Sequence, residues 1–239
     1  MRRLLWFHTI AALLLASWFF PPTSLLWHRL DVWLFETLNG TLAGHPRWQW
    51  TVAIFSCSKL DLLQAAYLGV LACIYLIGGG RKDLVVRTLL FGLTALFFFE
   101  TIKQMHHLLD YLGWNRQSPT LVLEPKVWLS RTVVTGLNIR DNSTTCFPGD
   151  HAMTLYFWTA YFWRYGGRKL GVAALGLAIL FSIPRLIGGA HWLSDELVGS
   201  VSCVLVLFSW SALVHPRLEL RLNSLWHLLS RRRVKADPA

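Results

Sequence analysis

Residues 182–196 read S-I-P-R-L-I-G-G-A-H-W-L-S-D-E, and they join two long apolar runs, 170–187 and 197–214. Runs of that length and polarity read as membrane helices, so the fold is decided by what surrounds this junction. The stretch places Arg185, His191 and Asp195 at the junction. Charged groups at the end of a span are costly to keep there and mark function. His191 and Asp195 stand four apart, one turn apart on one face if the second run is helical throughout. A carboxylate so placed accepts the N–H of one imidazole nitrogen and leaves the other bare and nucleophilic. Arg185 precedes a Gly188-Gly189 break and can fold back as a bidentate phosphate clamp.

Upstream, C-F-P-G-D-H at 146–151 opens another apolar run. The free backbone N–H groups of Gly149 and Asp150 at a helix N-terminus can bind an oxyanion, beside a second histidine, His151. Two histidines, at least two arginines and a helix N-terminus point to phosphoryl transfer through a phosphohistidine.

Outward from these pieces, the chain of 239 residues is 54% apolar and only 15% charged. Soluble domains carry about 25% charged residues, so an all-α integral membrane fold is expected. The 13 tryptophans fit a membrane interface. Six spans are expected. The first, 4–20, follows Met1-Arg2-Arg3, lacks a small-x-small cleavage site and reads as a retained helix. The others are 62–78, 84–104, 152–165, 170–187 and 197–214. The fourth is short for the roughly 20 residues a bilayer needs, as if its His151 end began below the surface. Residues 23–56 form an outer interfacial segment, with Leu26, Leu30, Trp33, Leu34 and Leu38 as the apolar face of an amphipathic helix against His28, Arg29, Asp31 and Glu36. Residues 105–150 form an outer active-site loop, and 216–239 a basic cytoplasmic tail. The whole of 1–239 is one membrane domain.

The net charge of +10 is a topology signal and not a nucleic-acid footprint. Arg2, Arg3, Arg81, Lys82, Arg87, Arg164, Arg168, Lys169 and the tail arginines fall on one side, which is therefore cytoplasmic and holds both termini. Both motifs then face outward. Cys57, Cys73, Cys146 and Cys203 have neither C-x-x-C nor Cys/His ligand spacing, so no metal site is expected and the thiols read as unpaired small apolar groups. His106-His107 read as outer-interface residues.

P-G-D-H at 148–151 and R-x5-H-x3-D at 185–195 resemble the second and third signature motifs of the type 2 phosphatidic acid phosphatase superfamily, whose members are six-span membrane enzymes that use no metal. The resemblance implies that His191 is the nucleophile, Asp195 its orienting carboxylate, His151 the acid that protonates the leaving oxygen, and Arg185 a phosphate ligand. Gly149 and Asp150 replace the family's usual Ser and Gly. In the first motif Arg116-Gln117-Ser118-Pro119 interrupts the usual Arg-Pro, and Leu109 stands where a lysine is usual. Arg116 is expected to bind phosphate. Lys103 is the nearby substitute lysine, with an i, i+3 pair to Glu100 as the plainer reading. Asp150 is left as a helix N-cap, a brake on hydrolysis or a partner for Arg116.

R-Q-S-P-T-L, C-F-P-G-D-H-A-M, W-R-Y-x-G and I-P-R-L-I-G-G-A-H-W-L-S-D resemble one branch of that family, the undecaprenyl-diphosphate-dependent lipid A phosphotransferases. That resemblance implies undecaprenyl diphosphate as donor and the 1-phosphate of lipid A as acceptor, at the periplasmic face of a bacterial inner membrane. A diphosphate needs more cations than a monophosphate, and Arg140 is the expected extra contact, while Lys126 and Arg131 read as solvated loop residues. The competing readings are a phosphatase that passes phosphate to water from the same site, and a non-catalytic membrane protein.

Overall fold

The computed structural model describes residues 1–78, 81–114, 116–123, 127–130, 134 and 136–236. Gly79, Gly80, Lys126 and Arg131 lie outside the described residues. The described chain is helical, with one isolated antiparallel bridge between Cys57 and Ile139.

Helix α1 (Arg2–Phe19) stops where Pro21 forces Phe20 into an extended conformation (φ −71°, ψ 120°). The same proline then starts α2 (Pro21–Gly40), so the two helices bend by 83°. Helices α3 (Pro46–Phe55), α4 (Ser58–Ile77) and α5 (Arg81–Tyr111) follow, then the single turn α6 (Pro119–Val122). Helix α7 (Asp150–Tyr161) runs into a π-helical turn, Phe162–Gly166, before α8 (Arg168–Gly188). A second π-helical turn, Asp195–Ser200, leads into α9 (Val201–Ala236), which continues through Pro216 without a break into the expected tail.

Helix α7 is the axis of the bundle. Met153, Phe157, Trp158 and Tyr161 are buried against Leu71 and Tyr75 of α4, Phe98 of α5 and Leu207 of α9. Half of α8's most apolar window is buried, against 17% for α4, so α8 is central and α4 peripheral. Leu62, Val70 and Ile77 of α4, with Leu96 and Phe99 of α5, are exposed and make an outward apolar surface. Helix α1 lies along α9, where Trp210 donates from Nε1 to His8 at 3.1 Å.

Among the described residues four helices are long and apolar enough to cross a membrane, and up to five if α1 and α2 form one broken span. The six expected are not all met on length and composition, because α1 has 18 residues beginning Arg2-Arg3 and α7 has 12 before its π-helical turn. In α2 the stripe that packs on the protein is Asp31, Phe35 and Asn39. These three are buried, whereas Leu26 and Trp33 are about 60% exposed. In an apolar surrounding, leucines gain nothing by turning inward, while a carboxylate and an amide must find partners. Asn39 does so: its Nδ2 donates to the carbonyl of Ile187 at 2.9 Å and its Oδ1 accepts the N–H of Trp128 at 2.7 Å.

Candidate active site

The start of α4 and α7, the end of α8, the turn before α9 and the α2 stripe all meet at one end of the bundle. Two clusters of polar side chains form there, joined by the 146–151 loop.

The first surrounds His191. Gly189 ends α8 at φ 80°, and a Cβ there would sit 2.5 Å from Thr120 and 2.7 Å from Phe35, so only glycine lets the chain turn at this point. His191 follows in the turn, ahead of the helix that Asp195 begins, so the two are not on one helical face as expected. The ring Nδ1 lies 3.1 Å from the carbonyl of Cys146 and 3.8 Å from Asp195 Oδ2. The closer acceptor is the carbonyl, which has no N–H to offer, so the proton is assigned to Nδ1 and Nε2 is left bare. Asp195 is fully buried; its Oδ2 accepts the N–H of Trp192 at 2.7 Å and its Oδ1 accepts from Arg116.

Arg116 holds this cluster together. Besides Asp195, Nη1 donates to Ser194 Oγ at 2.8 Å and Nη2 to Asp31 Oδ2 at 2.7 Å. The guanidinium sits 5.2 Å from the ring centre of Trp18 and 5.5 Å from that of Trp192, a double cation–π arrangement. Asp31 also accepts the N–H and the Oγ–H of Ser194, at 2.8 and 2.6 Å. Two buried carboxylates thus engage the guanidinium that was expected to meet phosphate. Burial works against an imidazolium at His191, but the hydrogen bond and charge of Asp195, with Glu196 beyond, outweigh it and raise the pKa above 6.5. Burial, then the charge of Asp195, push the Cys146 thiol up; it stays protonated and donates to the Arg116 carbonyl at 2.9 Å. All four cysteines are free.

The second cluster is built on Asp61, one turn into α4. Its Oδ1 accepts from Arg185 Nη2 and lies 3.5 Å from His151 Nε2, while its Oδ2 lies 3.2 Å from Arg140 Nη1. Arg140 reaches it because its own N–H donates to Ser56 O at 2.9 Å and Ser58 N–H donates to Asn138 O at 3.0 Å, pinning that loop to the start of α4. Arg185 is 3% exposed and Arg140 about half exposed. Asp61, His151 and Asp150 head a cavity of about 430 Å³ that descends between α4, α5 and α7, past Gly69, Phe91 and Trp158.

The loop between the clusters is tightly held. Ser200 Oγ lies 2.8 Å from the Gly149 carbonyl and 3.1 Å from the Asp195 carbonyl. The Gly149 N–H, expected to be free for an oxyanion, donates to Asp195 O at 3.3 Å; the Asp150 N–H, first in α7, is not so engaged. Asp150 is paired with His106 Nε2 at 2.8 Å, not with Arg116. Lys103 is exposed on α5, forms no ion pair with a described residue, Glu100 included, and joins neither cluster. Among the described residues no group of three or more His, Cys, Asp or Glu is placed to hold a metal ion.

Thus His191, Asp195 and Gly149 lie together, as do His151, Arg185 and Arg140. Sequence reasoning missed Asp31 and Asp61. Asp61 carries the signal that singled out His191, an ionisable residue at the edge of an apolar run; Asp31 begins the i, i+4, i+8 stripe with Phe35 and Asn39.

Residues 110–219, which hold Arg116, His151 and His191, match the PAP2 superfamily. Over 200 residues, 82% of this chain and 81% of the relative, the sequence is 30% identical to the lipid A 1-diphosphate synthase of Escherichia coli (strain K12). No solved structure matches. Residue identity across most of both chains and the motif-bearing match agree: the chain belongs to the PAP2 superfamily.

Proposed function

We propose that this protein is a lipid phosphotransferase, moving the terminal phosphate of undecaprenyl diphosphate to the 1-phosphate of lipid A through phosphohistidine 191, without a metal. The observation that carries the reading is the His191 ring: Nδ1 tied to the Cys146 carbonyl with Asp195 behind it, at the end of the bundle that also holds Arg185 and His151. The relative's name supplies lipid A and a 1-diphosphate product; the donor follows from the resemblance in the motifs.

In the first step the Nε2 lone pair of His191 attacks the terminal phosphorus, and the bond from phosphorus to the bridging oxygen breaks. That oxygen leaves with the electron pair as undecaprenyl phosphate, protonated by His151. In the second step an oxygen of the lipid A 1-phosphate attacks the phosphohistidine, the N–P bond breaks and Nε2 is bare again. His151 takes up any proton the acceptor carries. Arg185, Arg140 and the Asp150 amide meet the equatorial oxygens; Arg116 acts through Asp195 by holding it. The apolar cavity between α4, α5 and α7 suits a lipid chain with its head at His151.

Topology follows from charge. Arg2 and Arg3 at the start of α1, and Arg164 near the start of α8, lie at the end opposite the clusters. With α1 and α7 crossing beside the four longer helices, six spans leave both termini cytoplasmic and the site periplasmic, in a bacterial inner membrane. Helix α2 then lies at the outer interface with its leucines towards lipid.

The test is purified protein with undecaprenyl diphosphate labelled in its terminal phosphate, with and without lipid A. Label in lipid A, and acid-labile label on the protein that is lost in His191→Ala, are the expected results. Free phosphate released equally fast in both tubes would make the protein a phosphatase instead.

A further inference from the structure

We infer that Asp61 is a positioning residue for the leaving-group side of the reaction, pairing with His151 as a second histidine–carboxylate couple while aiming Arg185. The inference rests on the phosphotransfer reading above and extends it to a residue outside the three motifs.

Geometry carries it. Asp61 is the one acid of α4, and three cationic or ionisable side chains from three other parts of the chain converge on it: Arg185, Arg140 and His151. Arg185 is almost wholly buried and forms no other ion pair among the described residues. A buried guanidinium without a counter-charge is strongly disfavoured, so the direction of Arg185 is set by Asp61. The carboxylate is itself fixed, because the backbone hydrogen bonds of Ser58 and Arg140 lock the start of α4 to the 138–140 loop. Arg140, half exposed, can leave Asp61 and follow an arriving phosphate at little cost.

The two histidines are then held in opposite senses. His191 is tied at Nδ1, which frees Nε2 for phosphorus. His151 turns Nε2 to Asp61 at 3.5 Å, so in its imidazolium form the carboxylate takes the Nε2–H and the Nδ1–H is left for the lipid leaving oxygen. One ring presents a lone pair and the other a proton, and a carboxylate from a different helix orients the second. Asp61 and His151 also share the head of the α4–α5–α7 cavity, where the leaving lipid's chain would start.

The experiment uses the full chain in detergent, with Asp61→Asn, Asp61→Glu, His151→Ala and the double variant Asp61→Asn/His151→Ala. Release of undecaprenyl phosphate from undecaprenyl diphosphate gives kcat and KM separately. Asp61→Asn should lower kcat about 100-fold, the low end for a general acid, and change KM less. The loss in the double variant should fall well short of the product of the two single losses, the remainder beyond His151→Ala reflecting Arg185, and Asp61→Glu should recover part of the loss. In ¹⁵N-histidine NMR, the His151 signal, assigned by its disappearance in His151→Ala, should report the Nε2–H tautomer in the wild type and lose it in Asp61→Asn. A merely structural role would leave that tautomer in place and make the two losses multiply, which would overturn the inference. So would a lower KM at unchanged kcat, the mark of a carboxylate that only competes with phosphate for the arginines. Undiminished turnover by His191→Ala would strike the phosphotransfer reading instead, and the NMR result would still decide whether Asp61 orients His151.

Discussion

The two polar clusters at one end of the bundle are built on opposite plans. Around His191, every carboxylate oxygen of Asp31 and Asp195 accepts at least one hydrogen bond, the supporting groups are buried, and a backbone carbonyl sets the ring. Around Asp61, one carboxylate faces three donors, two at salt-bridge distances of 3.2 and 3.5 Å, and opens on a cavity. Fully satisfied buried networks are rigid, whereas a partly satisfied one has donors to offer a ligand. On the proposed mechanism the nucleophile is thus preorganised by the protein, and the anion-binding side is left for the substrate to complete. In phosphoryl transfer, where positioning and electrostatics supply most of the rate, that division is physically sensible.

The largest effects should come from breaking the closed cluster. His191→Ala should reduce turnover by about 10⁴-fold or more, measured as label transferred per minute, while leaving the unfolding temperature near that of the wild type. Turnover within tenfold of wild type would remove His191 from the chemistry and with it the contrast between the clusters. Arg116→Ala should act chiefly on stability: it leaves Asp31 and Asp195 buried beside each other without their cation, at a cost of about 3–5 kcal/mol. Denaturation in detergent should show this loss. A stable Arg116→Ala with raised KM alone would restore the phosphate contact read from the sequence.

How much of this was legible follows from how local each signal is. The apolar runs and the spacing of His151, Arg185, His191 and Asp195 are local, and the structure brings these four side chains to one end of the bundle. The partner of His191 was not, since it is the Cys146 carbonyl and a carbonyl leaves no mark on sequence. Nor was Arg116 readable as a structural ion: both its carboxylates come from other helices, and only the fold brings Asp31 to it. The helical period of α2 was clear, but nothing local marks Asp31, Phe35 and Asn39 as the stripe that packs on the protein. Arg140 joined the cluster as expected, and Lys103 did not.

A smaller effect separates the clusters by pH. The proposed mechanism requires His191 Nε2 to be bare, and the ring's pKa is raised because Asp195 outweighs the cost of burial. The acid limb of kcat should therefore lie above 6.5, and Asp195→Asn should move it down. Stability runs the other way. A group whose pKa is higher folded than unfolded stabilises the native state fully below the unfolded value, and that contribution is lost as pH rises through the folded value. Between the two values the enzyme should gain activity while losing stability. An acid limb at or below 6.5 would contradict this.

The smallest expected effect tests the joint between the clusters. A Cβ at Gly149 would lie 3.3 Å from Ser200 Oγ and 3.6 Å from His191 Nδ1. The first contact is tight, and Ser200 can give by a few tenths of an ångström only by lengthening its hydrogen bonds to the Gly149 and Asp195 carbonyls. Gly149 itself has φ −73°, open to any residue, so Gly149→Ala brings no backbone strain. The substitution should therefore leave the fold intact, shift the imidazole slightly, and lower kcat by about 3–10-fold with KM little changed, since small misplacements of a reacting group cost rate before binding. Gly149→Ala combined with Ser200→Ala removes the crowding atom and should regain most of the loss. If kcat stays low in the pair, the 146–151 loop acts on the nucleophile by some route other than contact with His191, and the two clusters are less separable than their geometry implies.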